Sequence, residues 1–288
     1  MHAARPKTLP AALSPVIVAS ALAWYDGVLK LPAAMWCLGF ALLAQIAANF
    51  INDYLDFKKG IDTKDRVGPA RAVASGWIAP RKMLLASVVA WALAMLCGLQ
   101  LIPYTYFSWN LWWVGGFSTL FCYLYSPLSR YGLGDLLVLI FFGLVPVMFT
   151  YFVQSGKFPL SSILLGIMIG LLSINILIAN NYRDYDTDKK ACKRTSIVLF
   201  GKKFGLVFYL STGIAACLLN VWLFYLKGNL LFGCIAWLFL IPHFRAWKTL
   251  ARIGGGKELN VLLALSSKNL LWFCLLEILS FVALRLIH

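Results

Sequence analysis

The acidic residues of this 288-residue sequence are concentrated in two short stretches. Seven of the 11 acidic residues lie there, four within residues 53–65 and three within residues 184–188. They are Asp53, Asp56, Asp62, Asp65, Asp184, Asp186 and Asp188. Lysine and arginine residues lie among them in both stretches. Because neighbouring carboxylates repel each other, such clusters are costly at a membrane boundary unless a cation is held between them.

An asparagine stands four residues before the first aspartate of each cluster. Asn49, Asp53 and Asp56 follow the spacing i, i+4, i+7, which places all three on one face of a helix. The second cluster repeats the Asn-x-x-x-Asp pattern at an offset of 131 residues and adds an aspartate four positions later. Its members are Asn180, Asp184 and Asp188, with Asp186 off that face. The repeated pattern hints at an internal duplication.

Clustered carboxylates of this kind indicate magnesium and diphosphate. Magnesium is bound by a few protein carboxylates, and it takes its other ligands from water and phosphate. The interleaved lysines and arginines can contact the remaining phosphate oxygens. We therefore expect two halves of one magnesium–diphosphate site, with the ligands Asn49, Asp53, Asp56, Asn180, Asp184 and Asp188. The alternative is two solvated loop caps in which acids and bases only neutralise each other. No G-x-x-x-x-G-K-[ST] motif occurs, so ATP is not the expected source of phosphate.

The elements that must position these residues are membrane helices. The chain is 61% hydrophobic and 13% charged, whereas a soluble domain has about 25% charged residues. Apolar runs near the roughly 20 residues that cross a bilayer recur along the sequence. They predict an all-α polytopic membrane protein with nine transmembrane helices at 10–29, 32–52, 82–102, 109–126, 133–153, 160–180, 204–226, 229–243 and 269–287. The eighth run is short before Pro242, and it is expected to end there or to continue toward Trp247.

The distribution of cations predicts the orientation of these spans. Of the 26 lysines and arginines, 22 fall on one side of the nine-span arrangement, mostly in the loops 53–82, 181–203 and 244–268. By the positive-inside rule those loops and the N-terminus are cytoplasmic, and the C-terminus is outside. The net charge of +15 then reflects this bias and attraction to anionic lipid. Nucleic acid is not expected as a partner. The seven scattered cysteines include no C-x-x-C pair and indicate no zinc, haem or iron–sulfur site.

The paired patterns resemble those of the UbiA superfamily of intramembrane prenyltransferases. That family carries N-x-x-x-D-x-x-D near the end of the second span and D-x-x-x-D near the end of the sixth. The segments "RPKTLPAALSPVIVASALA", "NDYLDFKKGIDTKDRVGPARAVASGWI", "GLGDLLVLIFFGLVPVMFTYF" and "NNYRDYDTDKKACKRT" are similar to the branch that prenylates 1,4-dihydroxy-2-naphthoate in menaquinone synthesis. Two departures are present. Asp135 stands where that branch has Glu, and Tyr125 is followed by Ser129 and Arg130 where many members carry Y-x-x-x-K.

The resemblance implies a single prenyltransferase domain over residues 1–288, with nine helices around a central chamber and the three basic loops capping the active site. It implies Mg²⁺-dependent transfer from polyprenyl diphosphate to dihydroxynaphthoate, with loss of CO₂ and diphosphate, at the cytoplasmic face of the inner membrane. Catalysis is assigned to Asp53, Asp56, Asp184 and Asp188. The expected diphosphate contacts are Lys59, Arg66, Arg183, Lys193 and Arg130. For Arg130 two alternatives are open: it takes the role of the family lysine, or this branch does not use that contact. Arg71 is expected either to bind the carboxylate of the acceptor or to make a structural loop contact.

Three other interpretations of the sequence are open. Within the enzyme class, the acceptor can be 4-hydroxybenzoate, another naphthoate or a chlorin. A membrane transporter also carries repeated halves with polar interruptions, but its site lies near the middle of the bilayer, whereas these acids lie at one face. A non-catalytic membrane scaffold gives no reason for two matched aspartate faces.

Overall fold

The computed structural model of the protein describes residues 2–60, 67–105, 115–116, 118 and 128–287. Every regular element within these ranges is helical, which confirms the all-α fold class. The main helices are α1 (Leu9–Tyr25), α2 (Leu31–Lys58), α3 (Pro80–Leu99), α4 (Gly134–Ser155), α5 (Leu160–Arg183), α6 (Tyr185–Lys190), α7 (Ser196–Leu226), α8 (Leu230–Ile253) and α9 (Asn260–Ile287). Short 3-10 helices cover His2–Ala4, Pro6–Thr8, Ile102–Thr105 and Lys257–Leu259.

Seven helices of the described ranges are long and apolar enough to cross a membrane, namely α2–α5 and α7–α9. Helix α1 is apolar but shorter, with 17 residues. The span predicted at 109–126 lies almost entirely outside the described residues. The seven candidates confirm a multi-pass membrane protein, and the count of nine spans stays a prediction.

Helix α5 forms the centre of the bundle. Of its most apolar 18 residues, 78% are buried inside the protein, a larger share than in any other candidate span that the structure describes. It packs against α1, α4, α7 and α9, while α2 and α3 pack mainly against each other and reach the rest through α1 and α4. The close approach of α4 to α5 requires glycine, because a Cβ on Gly143 would lie 2.5 Å from the Cα of Gly170.

Helix α8 extends further than the sequence indicated. The eighth apolar run was expected to end between Pro242 and Trp247, but the helix continues to Ile253. A 3-10 stretch over Cys234–Phe239 precedes the α-helical part, so Pro242 falls in the first turn of Leu240–Ile253. Proline is tolerated at that place because the N–H groups of a first turn have no partner within their helix.

The contacts of α9 define the two ends of the bundle. Near its start, Asn260 Oδ1 accepts a hydrogen bond from Arg183 at the end of α5, and its Nδ2 donates to the Val67 carbonyl after α2. Near its end, Arg285 donates to the Trp24 carbonyl at the end of α1. The ends of α2 and α5, which carry the two aspartate clusters, therefore lie at the same end of the bundle.

Candidate active site

Asn49 lies on the buried side of α2, against the N-terminal segment of the chain. Its Nδ2 donates to the Ala4 carbonyl at 2.9 Å and to Thr8 Oγ1 at 3.4 Å, and its Oδ1 accepts from Gln45 Nε2 at 3.4 Å. Only 3% of the residue is exposed. Asn49 therefore holds the N-terminal segment against α2, a contact that the sequence analysis did not predict.

Asp53, one turn further along α2, binds the loop that follows the helix. Its Oδ2 accepts from the N–H of Ala72 at 3.1 Å, and its Oδ1 accepts from the N–H of Val73 at 3.4 Å. Hydrogen bonds from backbone N–H groups to a carboxylate are charge-assisted and strong. Asp53 is buried, and these two bonds fix the turn over residues 71–76 above the end of α2.

Asp56 lies on the same face and forms an ion pair with Arg71. Arg71 Nη2 is 2.7 Å from Asp56 Oδ2, and both side chains are largely buried. The sequence predicts Asp56 at the metal, and Arg71 either at the carboxylate of the acceptor or in a structural loop contact. In the structure the two are in direct contact, so the guanidinium lies beside the carboxylates of the first cluster.

Helix α5 ends at Arg183, and Asp184 follows it as the C-cap. Arg183 binds Asp184 through two N–H donors, with Nε 2.8 Å from Oδ1 and Nη2 2.6 Å from Oδ2. Its Nη1 donates to Asn260 Oδ1 at 2.8 Å. Arg183, expected at the diphosphate, is thus buried and engaged with protein acceptors, and its contact with Asn260 ties the second cluster to α9.

The helical face expected from Asn180 to Asp188 is interrupted at Asp184. The backbone there leaves helical geometry, with φ −91° and ψ 9°, and the short α6 begins at Tyr185. The Asp188 N–H still donates to the Asp184 carbonyl at 2.7 Å, so Asp184 and Asp188 remain one helical turn apart. Asn180 Nδ2 donates back to the Ile176 carbonyl at 3.3 Å within α5.

Asp188 and Asp186 occupy different environments, as the spacing predicted. Asp188 Oδ2 lies 3.0 Å from Lys193 Nζ, and the carboxylate side chain is only 13% exposed. Burial raises the pKa of Asp188 above its usual value, the Lys193 ammonium opposes that shift, and the Asp184 carboxylate adds to it. The Asp186 side chain is 79% exposed and lies 3.9 Å from Lys202.

The other predicted diphosphate contacts are only partly described. Lys59 is the exposed C-cap of α2. Arg130 is half-buried, and its carbonyl accepts from the N–H of Arg194 at 2.9 Å, which brings it near the end of the second cluster. Asp62, Asp65, Arg66 and Tyr125 lie outside the described residues.

An apolar chamber of about 570 Å³ lies below the first cluster. Its α2 wall runs through Cys37, Ala41, Ala44 and Ala48, and Gln45 joins this wall to Asn49. Other walls come from α1, α3, α4, Gly115, Gly116 and Ser118. Aromatic side chains facing it are Phe40, Trp91, Phe141, Phe142 and Phe149. The chamber can therefore bury the apolar chain of a ligand beside α2 while the polar head of that ligand lies at the aspartates.

Comparison with known proteins shows which family this chain belongs to. Residues 12–276 match the UbiA prenyltransferase family. The chain belongs to this family. It is 35% identical to the 1,4-dihydroxy-2-naphthoate octaprenyltransferase of Escherichia coli over 84% of this chain and 80% of that protein.

Two solved structures share the UbiA fold. A UbiA homologue from Aeropyrum pernix superposes with a TM-score of 0.73 at 17% identity, covering 97% of this chain and 98% of that one. A homologue from Archaeoglobus fulgidus bound to DMAPP and Mg²⁺ superposes with a TM-score of 0.65 at 15% identity, covering 98% and 99%. These two likenesses support the fold. The family match and the Escherichia coli relative confirm the prediction of a prenyltransferase enzyme.

The carboxylates of this UbiA chain fit magnesium in their donor chemistry. Among the residues that the structure describes, no three metal-binding side chains form a ready-made cluster. Magnesium needs only one or two carboxylates when substrate phosphates supply other ligands, and the ends of α2 and α5–α6 each offer two. Arg71, Arg183 and Lys193 at present neutralise three of the four. The donor set therefore fits an ion that arrives with a diphosphate.

The sequence patterns did not single out two polar residues beside the candidate site. Asn260 connects Arg183 to the Val67 carbonyl, and Lys202 Nζ donates to the Gly254 carbonyl at 2.8 Å and lies over the Tyr185 ring. Neither belongs to an aspartate pattern. The sequence signal for Asn260 is a polar residue at the start of a long apolar helix. The signal for Lys202 is a cation directly after Gly201, whose φ of 86° bends the start of α7.

Proposed function

We propose that this protein transfers a polyprenyl group from polyprenyl diphosphate to 1,4-dihydroxy-2-naphthoate, with loss of CO₂ and diphosphate, giving demethylmenaquinol, the reduced (hydroquinone) form of demethylmenaquinone. The observation that carries the proposal is the apolar chamber whose α2 wall continues through Gln45 into the Asn49, Asp53 and Asp56 face. That arrangement suits a ligand with a long apolar tail and an anionic head. The name of the Escherichia coli relative supports the aromatic acceptor.

The residues at the two helix ends would bind the diphosphate head. Asp53, Asp56, Asp184 and Asp188 would hold Mg²⁺, and Asn49 and Asn180 are proposed to orient the metal or these carboxylates. Magnesium, when bound, neutralises diphosphate charge and makes diphosphate a better leaving group. Lys59, Arg66, Arg130, Arg183 and Lys193 are the proposed contacts of the remaining phosphate oxygens. Of these, Lys193 and Arg183 would exchange a carboxylate partner for phosphate or share it.

The chamber would protect the reaction from water. The bond between the prenyl carbon and the diphosphate oxygen breaks with its electron pair on diphosphate, and an allylic cation results. Water would capture this cation, so an apolar enclosure favours attack by the ring carbon of the acceptor. Aromatic side chains of the chamber, such as Phe40 and Phe149, can stabilise positive charge through their ring faces. The ring carbon that gains the prenyl group then loses its carboxylate as CO₂, which restores aromaticity.

Arg71 is proposed to bind the carboxylate of the acceptor. The ion pair with Asp56 supports its placement beside the first cluster. A guanidinium suits a carboxylate because its planar N–H groups match the two oxygens. The acceptor ring would then lie between the loop over residues 71–76 and the mouth of the chamber.

The proposed membrane arrangement has nine spans in one domain over residues 1–288, with the N-terminus cytoplasmic. The loops 53–82, 181–203 and 244–268 would cap the site on the cytoplasmic face of the inner membrane. Support comes from the charge bias and from Asn260, which joins the first two of these regions at one end of the bundle.

The proposal is tested with purified protein in detergent, Mg²⁺, dihydroxynaphthoate and a labelled polyprenyl diphosphate. We expect labelled prenyl product and free diphosphate, both abolished by EDTA and restored by added Mg²⁺. A transporter needs a closed membrane to do its work and releases no diphosphate in detergent. Absence of product and of diphosphate release from folded protein would exclude the enzyme.

A further inference from the structure

A groove on the outer surface of the bundle, between α8 and α9, lies apart from the proposed active site. It has a volume of about 470 Å³ and is lined by Leu238, Ile241, Pro242, Lys268, Asn269 and Trp272. Its floor is fixed by a hydrogen bond of 3.2 Å from Asn269 Nδ2 to the Pro242 carbonyl. None of these residues lines the apolar chamber, so the groove needs an explanation of its own.

The walls of the groove are apolar and face outward. Leu238 is 52% exposed, Ile241 is 54% exposed and Trp272 is 40% exposed. Both α8 and α9 are candidate membrane spans, so these side chains face lipid. Tryptophan is typical of the interface between hydrocarbon and headgroups, which places Trp272 near that boundary.

Lys268 adds a charge at the edge of this apolar surface. It lies eight residues after the start of α9, or about 12 Å along the helix axis, and it is exposed. No ion pair involves it among the described residues. A lysine beside lipid is costly unless its ammonium reaches the headgroup level or an anion. A phosphate at the mouth of the groove would satisfy it.

Three further cations continue from the groove along the same face of α8. Arg245, Lys248 and Arg252 follow Ile241 at i+4, i+7 and i+11, which is one helix face. All three are exposed, and none forms an ion pair with a described residue. Lys248 Nζ lies 4.9 Å from the centre of the Phe244 ring. The face therefore presents four cations, with Lys268, above an apolar groove.

We infer that this groove binds one anionic phospholipid, with its phosphate near Lys268, its acyl chain along Leu238 and Ile241, and its headgroup toward Arg245 and Lys248. A free phosphate would satisfy the cations and leave the apolar walls uncovered. A zwitterionic lipid would bring an ammonium group toward four cations. An anionic lipid is the ligand whose two parts match both surfaces.

The experiment is native mass spectrometry of the full-length protein released from detergent. Phosphatidylglycerol and phosphatidylcholine with the same acyl chains are added in parallel. Since each surface cation contributes about 1 kcal/mol to attraction of anionic lipid, we expect phosphatidylglycerol to be retained at least about tenfold better than phosphatidylcholine. Equal retention of the two lipids would overturn the inference.

The variant Lys268→Gln is expected to lower phosphatidylglycerol retention roughly fivefold. Retention of phosphatidylcholine should fall less, because the ammonium of that lipid already offsets its phosphate charge. Lys203→Gln is the matched control, because Lys203 is exposed near the start of α7 and does not line the groove. A triple change of Arg245, Lys248 and Arg252 to Gln should reduce retention further. Retention at the original level in Lys268→Gln, or the same loss in Lys203→Gln, would contradict the site.

Inorganic phosphate separates a lipid site from a simple anion site. Millimolar phosphate should not displace bound phosphatidylglycerol, because it cannot cover the apolar walls. Complete displacement by phosphate would mean that the cations bind any anion and that the groove has no part in recognition. Because all of these readouts measure lipid retention and not turnover, their failure would leave the proposed enzymatic function untouched.

Discussion

At the scale of single residues, the four proposed catalytic aspartates are held by different partners. Asp53 accepts from two backbone N–H groups, Asp56 pairs with Arg71, Asp184 with Arg183, and Asp188 with Lys193. Each partner offsets the negative charge of its carboxylate and so reduces the repulsion between neighbouring aspartates. The same residue type therefore combines structural and proposed metal-binding roles, and substitutions will differ in their side effects.

Asp188→Asn should lower turnover by at least about a hundredfold, the usual cost of removing one group that stabilises charge at a reacting centre. The neighbouring change Asp186→Asn is the control, because Asp186 is largely exposed and lies off the proposed site. Its turnover should fall only slightly. The measurement is the rate of product formation at saturating Mg²⁺, with thermal unfolding recorded in parallel. Similar rates in the two variants would mean that Asp188 serves only its ion pair with Lys193.

Arg71→Lys should raise the KM for the aromatic acceptor more than the KM for polyprenyl diphosphate. Lysine keeps the charge but loses the planar pair of donors. A charge-assisted hydrogen bond contributes about 1.5–3 kcal/mol, so the expected rise is about ten- to a hundredfold. Both constants are measured at saturating Mg²⁺.

Arg66→Lys is the control for Arg71→Lys. Because Arg66 is proposed to contact the diphosphate group, its substitution should mainly raise the KM for polyprenyl diphosphate. If Arg71→Lys instead lowers the unfolding temperature and moves both KM values equally, Arg71 is a structural partner of Asp56 and not an acceptor-binding residue.

At the scale of elements, helix α2 connects the polar site to the chamber. Small residues at Ala41, Ala44 and Ala48 leave space along its chamber face, and Gln45 lies between that face and Asn49. The length of chain that fits beside α2 depends on this space. Helix α2 would thus contact two parts of the proposed substrate: its aspartates would bind the diphosphate head, and its small side chains would leave room for the polyprenyl tail.

Ala44→Phe should shorten the longest polyprenyl diphosphate that is used efficiently. A phenyl ring occupies part of the chamber that an isoprene unit would fill, and a packed wall does not absorb it without displacement. The measurement is kcat/KM across a series of chain lengths. Leu93→Phe is the control, because Leu93 is 46% exposed on the outer face of α3. An unchanged chain-length profile in Ala44→Phe would place the tail elsewhere.

The sequence predicted which residues share a helix face better than it predicted which side chains contact each other. The i, i+4, i+7 spacing placed Asn49, Asp53 and Asp56 on one helical face, and α2 does extend past them to Lys58. It did not reveal that Arg71 would reach Asp56, since that contact depends on how the loop after α2 folds back. The break at Asp184 was also missed, because the spacing of residues does not report a change in backbone angles.

At the scale of the whole molecule, polar contacts join the helices at both ends of the bundle. At the end opposite the aspartate clusters, Asp26 accepts from Tyr151 at 2.7 Å and pairs with Lys227 at 2.5 Å, which ties α1, α4 and α7 together. At the other end Asn260 connects α5, α9 and the loop after α2. The proposed site therefore lies at an end whose geometry is fixed by three separate parts of the chain.

The proposed orientation predicts where reporters will lie. A reporter inserted near Lys64 should be cytoplasmic, and one fused after His288 should be outside, because 22 of the 26 cations fall on one side of a nine-span arrangement. The measurement is compartment-specific reporter activity or labelling in intact cells. Finding both reporters on one side would exclude an odd number of spans between them and with it the nine-span topology.

The most direct test of the central claim is a competition between aromatic acceptors. Purified protein, Mg²⁺ and one labelled polyprenyl diphosphate are offered dihydroxynaphthoate and 4-hydroxybenzoate together, and both the prenylated products and the released CO₂ are counted. We expect the naphthoate product to dominate, with one CO₂ and one diphosphate released for each prenyl group transferred. Preferential prenylation of 4-hydroxybenzoate, or a naphthoate product that keeps its carboxylate, would contradict the proposed reaction.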